Sequence, residues 1–291
     1  MMTVPDSSAQ GVSAQEPLFF FVSGPPKSGT TWLMRLIDAH PQAVCSGEGH
    51  FFDRVRPLFL KAFEEYQSLL KLDADLVFSG KPVYAPLRVA ELDQLMRVFV
   101  TQRLRQRDPE GRALALGDKT PRNYHDLQGL FGAFPKARLI FLLRDPRDVA
   151  VSLFGHMHRR IKLGLSKEAD FDRAQILKTA IGHCRACAAA LERVETQAPG
   201  VALRLRYEDL LADTFEEYDR ICAHLGLDRD PDTLQKAIDA CDFKRMSGGR
   251  APGQRDVNSF FTSGKSGSWR EQLTPEEAAF FEREAPELLA H

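Results

Sequence analysis

The sequence predicts an α/β fold of three layers, in which helices flank a central, mostly parallel sheet. Residues 18–22 and 139–143 are apolar on both faces, as is typical of strands buried within a parallel sheet, and the second strand is expected at 138–143. A turn and then a helical pattern follow each of them, so strands and helices alternate along the chain. Because the order is βα throughout, without a repeat or linker, we expect one domain at 17–291, preceded by a disordered segment at 1–16.

Hydrophobic spacing predicts the remaining elements. Apolar alternation favours short strands at residues 112–116 and 201–206. Apolar positions at helical spacing favour helices at residues 31–39, 53–72, 87–105, 123–134, 146–158, 172–197, 213–225, 230–241 and from 274 onward.

Particular residues mark the starts of helices and the loops between them. Pro146 suits the first turn of a helix. Thr274 and Glu277 have the spacing of a capping box. Glycine and proline predict a loop at 73–86, and a Gly-, Ser- and Arg-rich composition predicts a mobile loop at 245–268.

The composition is that of an ordinary globular protein. Of 291 residues, 43% are hydrophobic and 27% charged, and the net charge is −1, which argues against nucleic-acid or membrane partners. The five cysteines are scattered, and the pair Cys184 and Cys187 lies in a predicted helix without a second pair, so neither disulfides nor a metal site are expected. Without an apolar signal segment, the expected location is cytoplasmic.

The turn after the first strand has the features of a phosphate-binding loop. Backbone N–H groups at a helix N-terminus favour an anion. Lys27 adds a positive charge, and Ser28, Thr30 and Thr31 add hydroxyl groups. The order differs from the loop of nucleoside triphosphatases, because Lys27 precedes Gly29 and no Gly-Lys-Ser/Thr follows.

The seven residues Pro-Lys-Ser-Gly-Thr-Thr-Trp at 26–32 resemble the 5′-phosphosulfate loop of the sulfotransferase family. Members of that family use 3′-phosphoadenosine 5′-phosphosulfate (PAPS) as donor and release 3′-phosphoadenosine 5′-phosphate (PAP). The segment from Arg144 to Ser152 resembles the family's second motif, whose Arg and Ser hold the 3′-phosphate. The resemblance implies a P-loop nucleoside-triphosphate-hydrolase-like fold and a soluble member of the family.

The resemblance also implies an adenine pocket and a closing loop. Trp32 matches a residue that stacks on adenine, although core packing would explain it as well. Tyr207 and Phe243 match aromatic residues of the same pocket. Gly264 matches the closing loop, but Thr-Ser at 262–263 stands where the family has Arg-Lys. Three cationic residues are candidates to replace those charges: Lys265, Arg250 and Arg270.

Sulfuryl transfer is an in-line displacement that requires cations at the leaving oxygen and a base at the acceptor. The resemblance assigns Lys27 to the leaving oxygen and Lys119 to the sulfate, although a solvated loop lysine would also fit the second position. Glu48 is the expected base, because it matches the glutamate of carbohydrate-type members. His50 is the alternative base, and His125 is a third candidate.

The expected acceptor is a small molecule or carbohydrate with a hydroxyl or amine, and a homodimer is possible. Either the aromatic residues Phe51, Phe52, Phe59, Phe63 and Tyr66 line an apolar acceptor pocket or they belong to a buried helix face. Two other functions are compatible with the fold: a nucleotide-dependent kinase, and an inactive PAPS-binding protein. The kinase would need a Gly-Lys-Ser/Thr loop that the chain lacks.

Overall fold

The computed structural model describes residues 16–251, 253–254 and 264–289. The predicted disordered segment therefore lies outside the described residues except for Glu16, whose carboxylate contacts the guanidinium of Arg97. Part of the predicted mobile loop, including the Thr-Ser pair at 262–263, also lies outside them.

Five parallel strands form one sheet in the order β2-β3-β1-β4-β5. They are β1 (Leu18–Ser23), β2 (Ala43–Gly47), β3 (Ala115–Lys119), β4 (Arg138–Leu143) and β5 (Ala202–Arg206). Because every neighbouring pair is parallel, all five strands end at the same edge, where Lys119 lies in register with Val22 on one side and with Gly47 on the other. That edge is where ligands bind in open α/β sheets.

Helices surround the sheet. They are α1 (Thr30–Asp38), α2 (Arg56–Val77), α3 (Val89–Arg105), α4 (Leu127–Ala133), α5 (Pro146–Lys162), α6 (Arg173–Gln197), α7 (Tyr207–Ala212), α8 (Thr214–Leu225), α9 (Pro231–Ala240), α10 (Phe243–Met246), α11 (Trp269–Gln272) and α12 (Pro275–Glu284). A π-helical turn (Phe51–Val55) precedes α2, and 3₁₀ turns occur at Asn123–Asp126, Glu168–Asp170 and Pro286–Leu288.

The sheet separates two apolar layers. Phe20 and Val22 of β1 point into a core shared with α1, α8 and α9. Phe19 and Phe21 point to the opposite face, against α3, α4 and α6. A third cluster joins α5, α6 and α12 around Phe281. The predicted three-layer α/β fold is therefore confirmed. Strand β1 is apolar throughout because its side chains point alternately into the two cores, one on each face of the sheet.

One strand was missed, and two predicted boundaries were wrong. Strand β2 was not predicted, since it is a five-residue edge strand without a long apolar run. The segment predicted as a loop at 73–86 begins with the last turn of α2, because no helix-breaking residue occurs before Gly80. Strand β3 starts three residues later than expected and contains Gly117, whose missing side chain leaves room for the ring of Phe20.

Other features concern the whole described part of the chain. All five cysteines are buried as free thiols. Thr274 and Glu277 form the predicted capping box of α12. Within the described residues, no helix is both long and apolar enough to cross a lipid bilayer.

Candidate active site

A cavity of about 810 Å³ opens at the carboxyl edge of the sheet. Residues that follow each of the five strands line it: the loop after β1, residues 48–50 after β2, residues 120–122 after β3, Arg144 after β4 and Tyr207 after β5. The cavity thus depends on the order and parallel direction of all five strands.

The loop after β1 bends sharply toward α1. Lys27 and Gly29 both have positive φ, at 75° and 102°. The Gly29 carbonyl accepts hydrogen bonds from the N–H groups of Trp32 and Leu33, which starts the helix. The Ser28 hydroxyl is buried and has no hydrogen-bond partner within the described residues. A buried, unpaired hydroxyl is unfavourable, so this loop is suited to receive a polar ligand.

Lys27 lies in the cavity with an altered acidity. Burial is the main cause that lowers the pKa of its ammonium to about 8; the nearby cations Arg159 and Arg144 contribute to this shift, and Glu48 opposes it. A cation held under these conditions gains interaction energy when an anion enters.

Lys119 links two neighbouring loops. Its Nζ atom donates to Oε1 of Glu48 over 2.7 Å and to Oγ1 of Thr31 over 3.2 Å. The lysine is buried, whereas the carboxylate of Glu48 is 45% exposed and lines the cavity. Lys119 is therefore a fixed member of the site and not the solvated loop lysine that the sequence left open.

His50 lies between two carboxylates. Its Nδ1 atom is 3.1 Å from both oxygens of Asp53, and its Nε2 atom is 3.5 Å from Oε2 of Glu48. The side chain of Asp53 is only 3% exposed and also lies 3.6 Å from the Arg122 guanidinium. The carboxylate of Asp53 favours a proton on Nδ1 and fixes the orientation of the ring, so that Nε2 faces the carboxylate of Glu48.

Asp118 joins the loops after β2 and β3. Its two oxygens accept hydrogen bonds from the Gly49 N–H over 2.8 Å and from the Thr120 hydroxyl over 2.7 Å. The same Thr120 oxygen accepts the N–H of His50 over 3.2 Å. Burial raises the pKa of Asp118 to about 6 despite these bonds.

Arg144 connects the loop after β1 with the C-terminal segment. Its guanidinium donates to the carbonyl oxygens of Lys27 and Lys265, each over 3.2 Å, and lies 4.2 Å from the ring centre of Tyr207. Asp148, one turn later, accepts the backbone N–H groups of Gly267 and Trp269. Residues from 264 onward are thereby attached to the start of α5.

Aromatic side chains occupy another part of the cavity. Trp32 and Tyr207 meet edge to face with ring centres 5.9 Å apart, and the indole N–H donates to the carbonyl of Cys241. Phe243 lines the same region, where Gly264 approaches its ring so closely that a Cβ atom would lie 2.4 Å away. These three aromatic residues provide flat apolar surface for a planar ligand.

Most of the predicted site residues come together, but four candidates differ from the expectation. Lys265 does not line the cavity; its carbonyl binds Arg144, and its ammonium lies 4.0 Å from the carboxylate of Glu271. His125 stacks on Tyr124 and borders a separate groove beside α6. Phe51 and Phe52 pack in the core instead of lining an acceptor pocket.

Sequence reasoning also missed residues that line the cavity. His156 and Arg160 lie on α5, four and eight residues after Ser152. Because residues four apart share one face of a helix, the position of Ser152 contained this information. Asp53 lies three residues after His50 in the π-helical turn. It was missed because the sequence did not predict that turn, which brings the two side chains together.

Comparisons with known proteins identify relatives of this chain. A model of the sulfotransferase family matches residues 17–231. Cytosolic sulfotransferase 17 of Arabidopsis thaliana is 24% identical over 289 residues, covering 93% of this chain and 74% of the relative. Nodulation protein NoeE of Sinorhizobium fredii is 29% identical over 222 residues, covering 73% of this chain and 51% of the relative.

A solved structure has the same fold. The crystal structure of mouse sulfotransferase SULT7A1, complexed with PAP, superimposes with a TM-score of 0.54 at 18% identity. The superposition covers 91% of this chain and 82% of the mouse protein.

Proposed function

Since this chain belongs to the sulfotransferase family, we propose that it transfers a sulfuryl group from PAPS to a hydroxyl or amine of a small acceptor. One observation carries the proposal: the cations Lys27 and Arg144 line the cavity together with aromatic side chains and with the carboxylate of Glu48, which the buried Lys119 binds. In this arrangement the aromatic side chains suit the adenine of a nucleotide, the cations suit its phosphate and sulfate groups, and the carboxylate suits the proton of the acceptor. The mouse protein of the same fold was crystallised with PAP.

The chemistry of the cavity fits PAPS. The unpaired hydroxyl of Ser28 and the loop at Gly29 suit the phosphosulfate, with the hydroxyls of Thr30 and Thr31 and the ammonium of Lys27 nearby. For the 3′-phosphate we assign Arg144 and Ser152, beside Gly264 and the carbonyl of Lys265. For the adenine we assign three aromatic residues: Trp32, Tyr207 and Phe243.

PAPS supplies the sulfuryl group in this reaction. A bond forms between the acceptor oxygen or nitrogen and sulfur, the bond from sulfur to the bridging phosphate oxygen breaks, and PAP leaves with that electron pair. The role of Lys27 is to neutralise the charge that develops on the leaving oxygen. The buried ammonium of Lys119 stabilises charge on the sulfuryl oxygens and fixes Glu48.

For the proton of the acceptor we propose Glu48 as the base. Its carboxylate is exposed to the cavity and oriented by two neighbours, Lys119 and His50. Asp53 acts on His50 and is a positioning residue. His50 remains the alternative base, because its Nε2 atom faces the same place as the carboxylate.

We also propose that residues 17–291 act as one sulfotransferase domain, because each strand of the single sheet contributes to the cavity. A cytoplasmic location and a homodimer stay predictions from the sequence.

A binding experiment followed by a transfer experiment tests the function. Calorimetry with PAP should detect binding, and ATP with Mg²⁺ should not displace PAP. Incubation with ³⁵S-labelled PAPS and a panel of phenols, alcohols and sugars should then label an acceptor. Displacement of PAP by MgATP together with phosphoryl transfer would favour a kinase; PAP binding without transfer to any acceptor would favour an inactive binding protein.

A further inference from the structure

The cavity has two chemically different ends. At one end the lining is apolar and includes Trp32, Tyr207, Leu211, Ile238, Phe243 and Met246. At the other end it is polar and charged and includes Glu48, His50, Asp53, Arg54 and Arg122, and Arg160 of α5 lines the same cavity. Contacts within each set separate them: Trp32 meets Tyr207, whereas His50 joins Glu48 to Asp53. The proposed adenine site takes the apolar end, so the acceptor must enter the polar one.

The polar end lacks the apolar wall expected from the sequence. Phe51 packs against Phe99, and Phe52 packs against Phe21, within the core on the far side of the π-helical turn. Phe59 also packs against Phe99, and Tyr66 is 46% exposed on α2. None of these aromatic rings lines the cavity, and Pro121 beside Arg122 leaves only a small apolar surface there for a steroid or simple phenol.

Arginine side chains give the polar end an excess of positive charge. Arg160 donates through Nε to the Ser166 hydroxyl and through Nη2 to the Leu165 carbonyl, which holds its guanidinium beside the cavity. Arg54 is exposed at the same end. Arg122 is partly balanced by Asp53, which also binds His50.

His156 contributes no charge to this excess at neutral pH. It lines the cavity between Lys27 and Arg160, and its ring Nδ1 lies 3.2 Å from the guanidinium of Arg159. Burial and the neighbouring cations Lys27, Arg159 and Arg160 lower its pKa to about 4. The positive charge at neutral pH comes from the arginines instead. Arg54 and Arg160 are not assigned to the donor, and neither of them forms the ion pair with Asp53, which involves Arg122.

We propose that the acceptor is a polar molecule that carries a carboxylate, phosphate or sulfate beside its reacting hydroxyl, and that Arg54 and Arg160 bind this anion. The inference rests on the proposed function, because it assigns the apolar end to the donor. Guanidinium groups bind such anions through paired N–H donors, and a cavity wall strengthens the attraction relative to open water.

The test uses three matched pairs of small acceptors. They are methyl β-D-glucopyranoside with its 6-phosphate, the same glucoside with the corresponding methyl glucuronide, and 4-hydroxybenzyl alcohol with 4-hydroxybenzoate. Binding to the PAP-loaded protein is measured by calorimetry, and transfer is measured with ³⁵S-labelled PAPS. We expect at least one anionic member to bind about tenfold or more tightly than its neutral partner, as a hydrogen bond to a charged group predicts. Added salt should reduce that preference.

Variants separate the arginines from a general charge effect. The double substitution Arg54→Gln/Arg160→Gln should remove the preference and leave PAP affinity unchanged. By contrast, Arg103→Gln, at an exposed position of α3 outside the cavity, should preserve it. Equal or weaker binding of every anionic member, absence of binding by all of them, or a preference that survives the double substitution would overturn the proposal. Failure to bind PAP in the first step would instead refute the proposed function.

Discussion

The ammonium of Lys119 lies 2.7 Å from the carboxylate of Glu48, at the ends of two adjacent parallel strands. The register of β2 with β3 places Gly47 opposite Lys119, so the residue after Gly47 falls beside the lysine. The pair therefore results from strand pairing. It holds the proposed base in a fixed position.

Replacing Glu48 should lower the rate of sulfuryl transfer without a comparable loss of nucleotide affinity. Glu48→Gln keeps the shape and one hydrogen-bond acceptor for Lys119 but removes the basic carboxylate. We expect kcat for sulfuryl transfer to fall by about 10²-fold or more, as for loss of a general base, with PAP affinity changed less than about threefold. If His50→Gln produces this pattern and Glu48→Gln does not, then His50 is the base.

Substitution of Asp53 tests its positioning role. Asp53→Asn removes the negative charge at Nδ1 of His50, so the imidazole loses the partner that fixes its proton and orientation. We expect kcat to fall about tenfold and the acidic limb of the pH–rate profile to move, with PAP affinity retained. A purely structural role for Asp53 would lower the melting temperature and leave the shape of that profile unchanged.

The lowered pKa of Lys27 predicts a loss of donor capture at alkaline pH. The group is a cation below its pKa of about 8 and neutral above it, so kcat/KM for PAPS should fall as pH rises through about 8. Lys27→Arg should abolish this decline, because a guanidinium stays protonated. Lys27→Ala should lower kcat by about 10²- to 10³-fold. Lys265→Ala, whose ammonium lies outside the cavity, is the matched control.

Gly29→Ala tests the tight contact between the loop and Tyr207. The residue has φ of 102°, and an added Cβ atom would lie 2.6 Å from the tyrosine ring. We expect a weaker affinity for PAP and a loss of about 1–3 kcal/mol in the free energy of unfolding. The control is Gly155→Ala, a helical position with no atom within 4 Å of the added carbon, which should be neutral or slightly stabilising. Equal effects of the two substitutions would contradict the contact.

Asp118 should make stability depend on pH in an unusual direction. Burial raises its pKa from 3.8 to about 6, so folding favours the protonated acid, and this contribution is lost as pH rises through about 6. Urea unfolding from pH 4 to 7 should therefore show the parent losing stability relative to Asp118→Asn, by roughly 3 kcal/mol in all. A difference that is constant with pH would show that the carboxylate is ionised throughout this range.

Much of the site was predictable because it follows strong local signals. The buried strands that precede Lys27 and Arg144 fix where those residues lie, since neighbouring parallel strands end at one edge. The contact of Trp32 with Tyr207 agrees with the adenine pocket inferred from the family resemblance. The two aromatic residues are far apart in sequence, so periodicity alone does not predict their meeting.

The missed features depend on packing rather than on local pattern. Strand β2 is recognisable only once its pairing with β3 is known. The approach of Arg160 to the cavity depends on the length of α5 and on its two bonds to the segment after it. The aromatic residues at 51–52 have a helical spacing that fits either a core or a pocket, and the partners in the sheet decided between them.

The distribution of the cavity lining over five strand ends has a consequence for how activity is lost. No isolated segment of the chain holds the full set, since the nearest neighbours in the cavity come from strands far apart in sequence. Partly denatured forms should be inert, and catalysis should vanish in the same narrow transition that melts the sheet. The rate of catalysis should then report the fraction of protein that is folded.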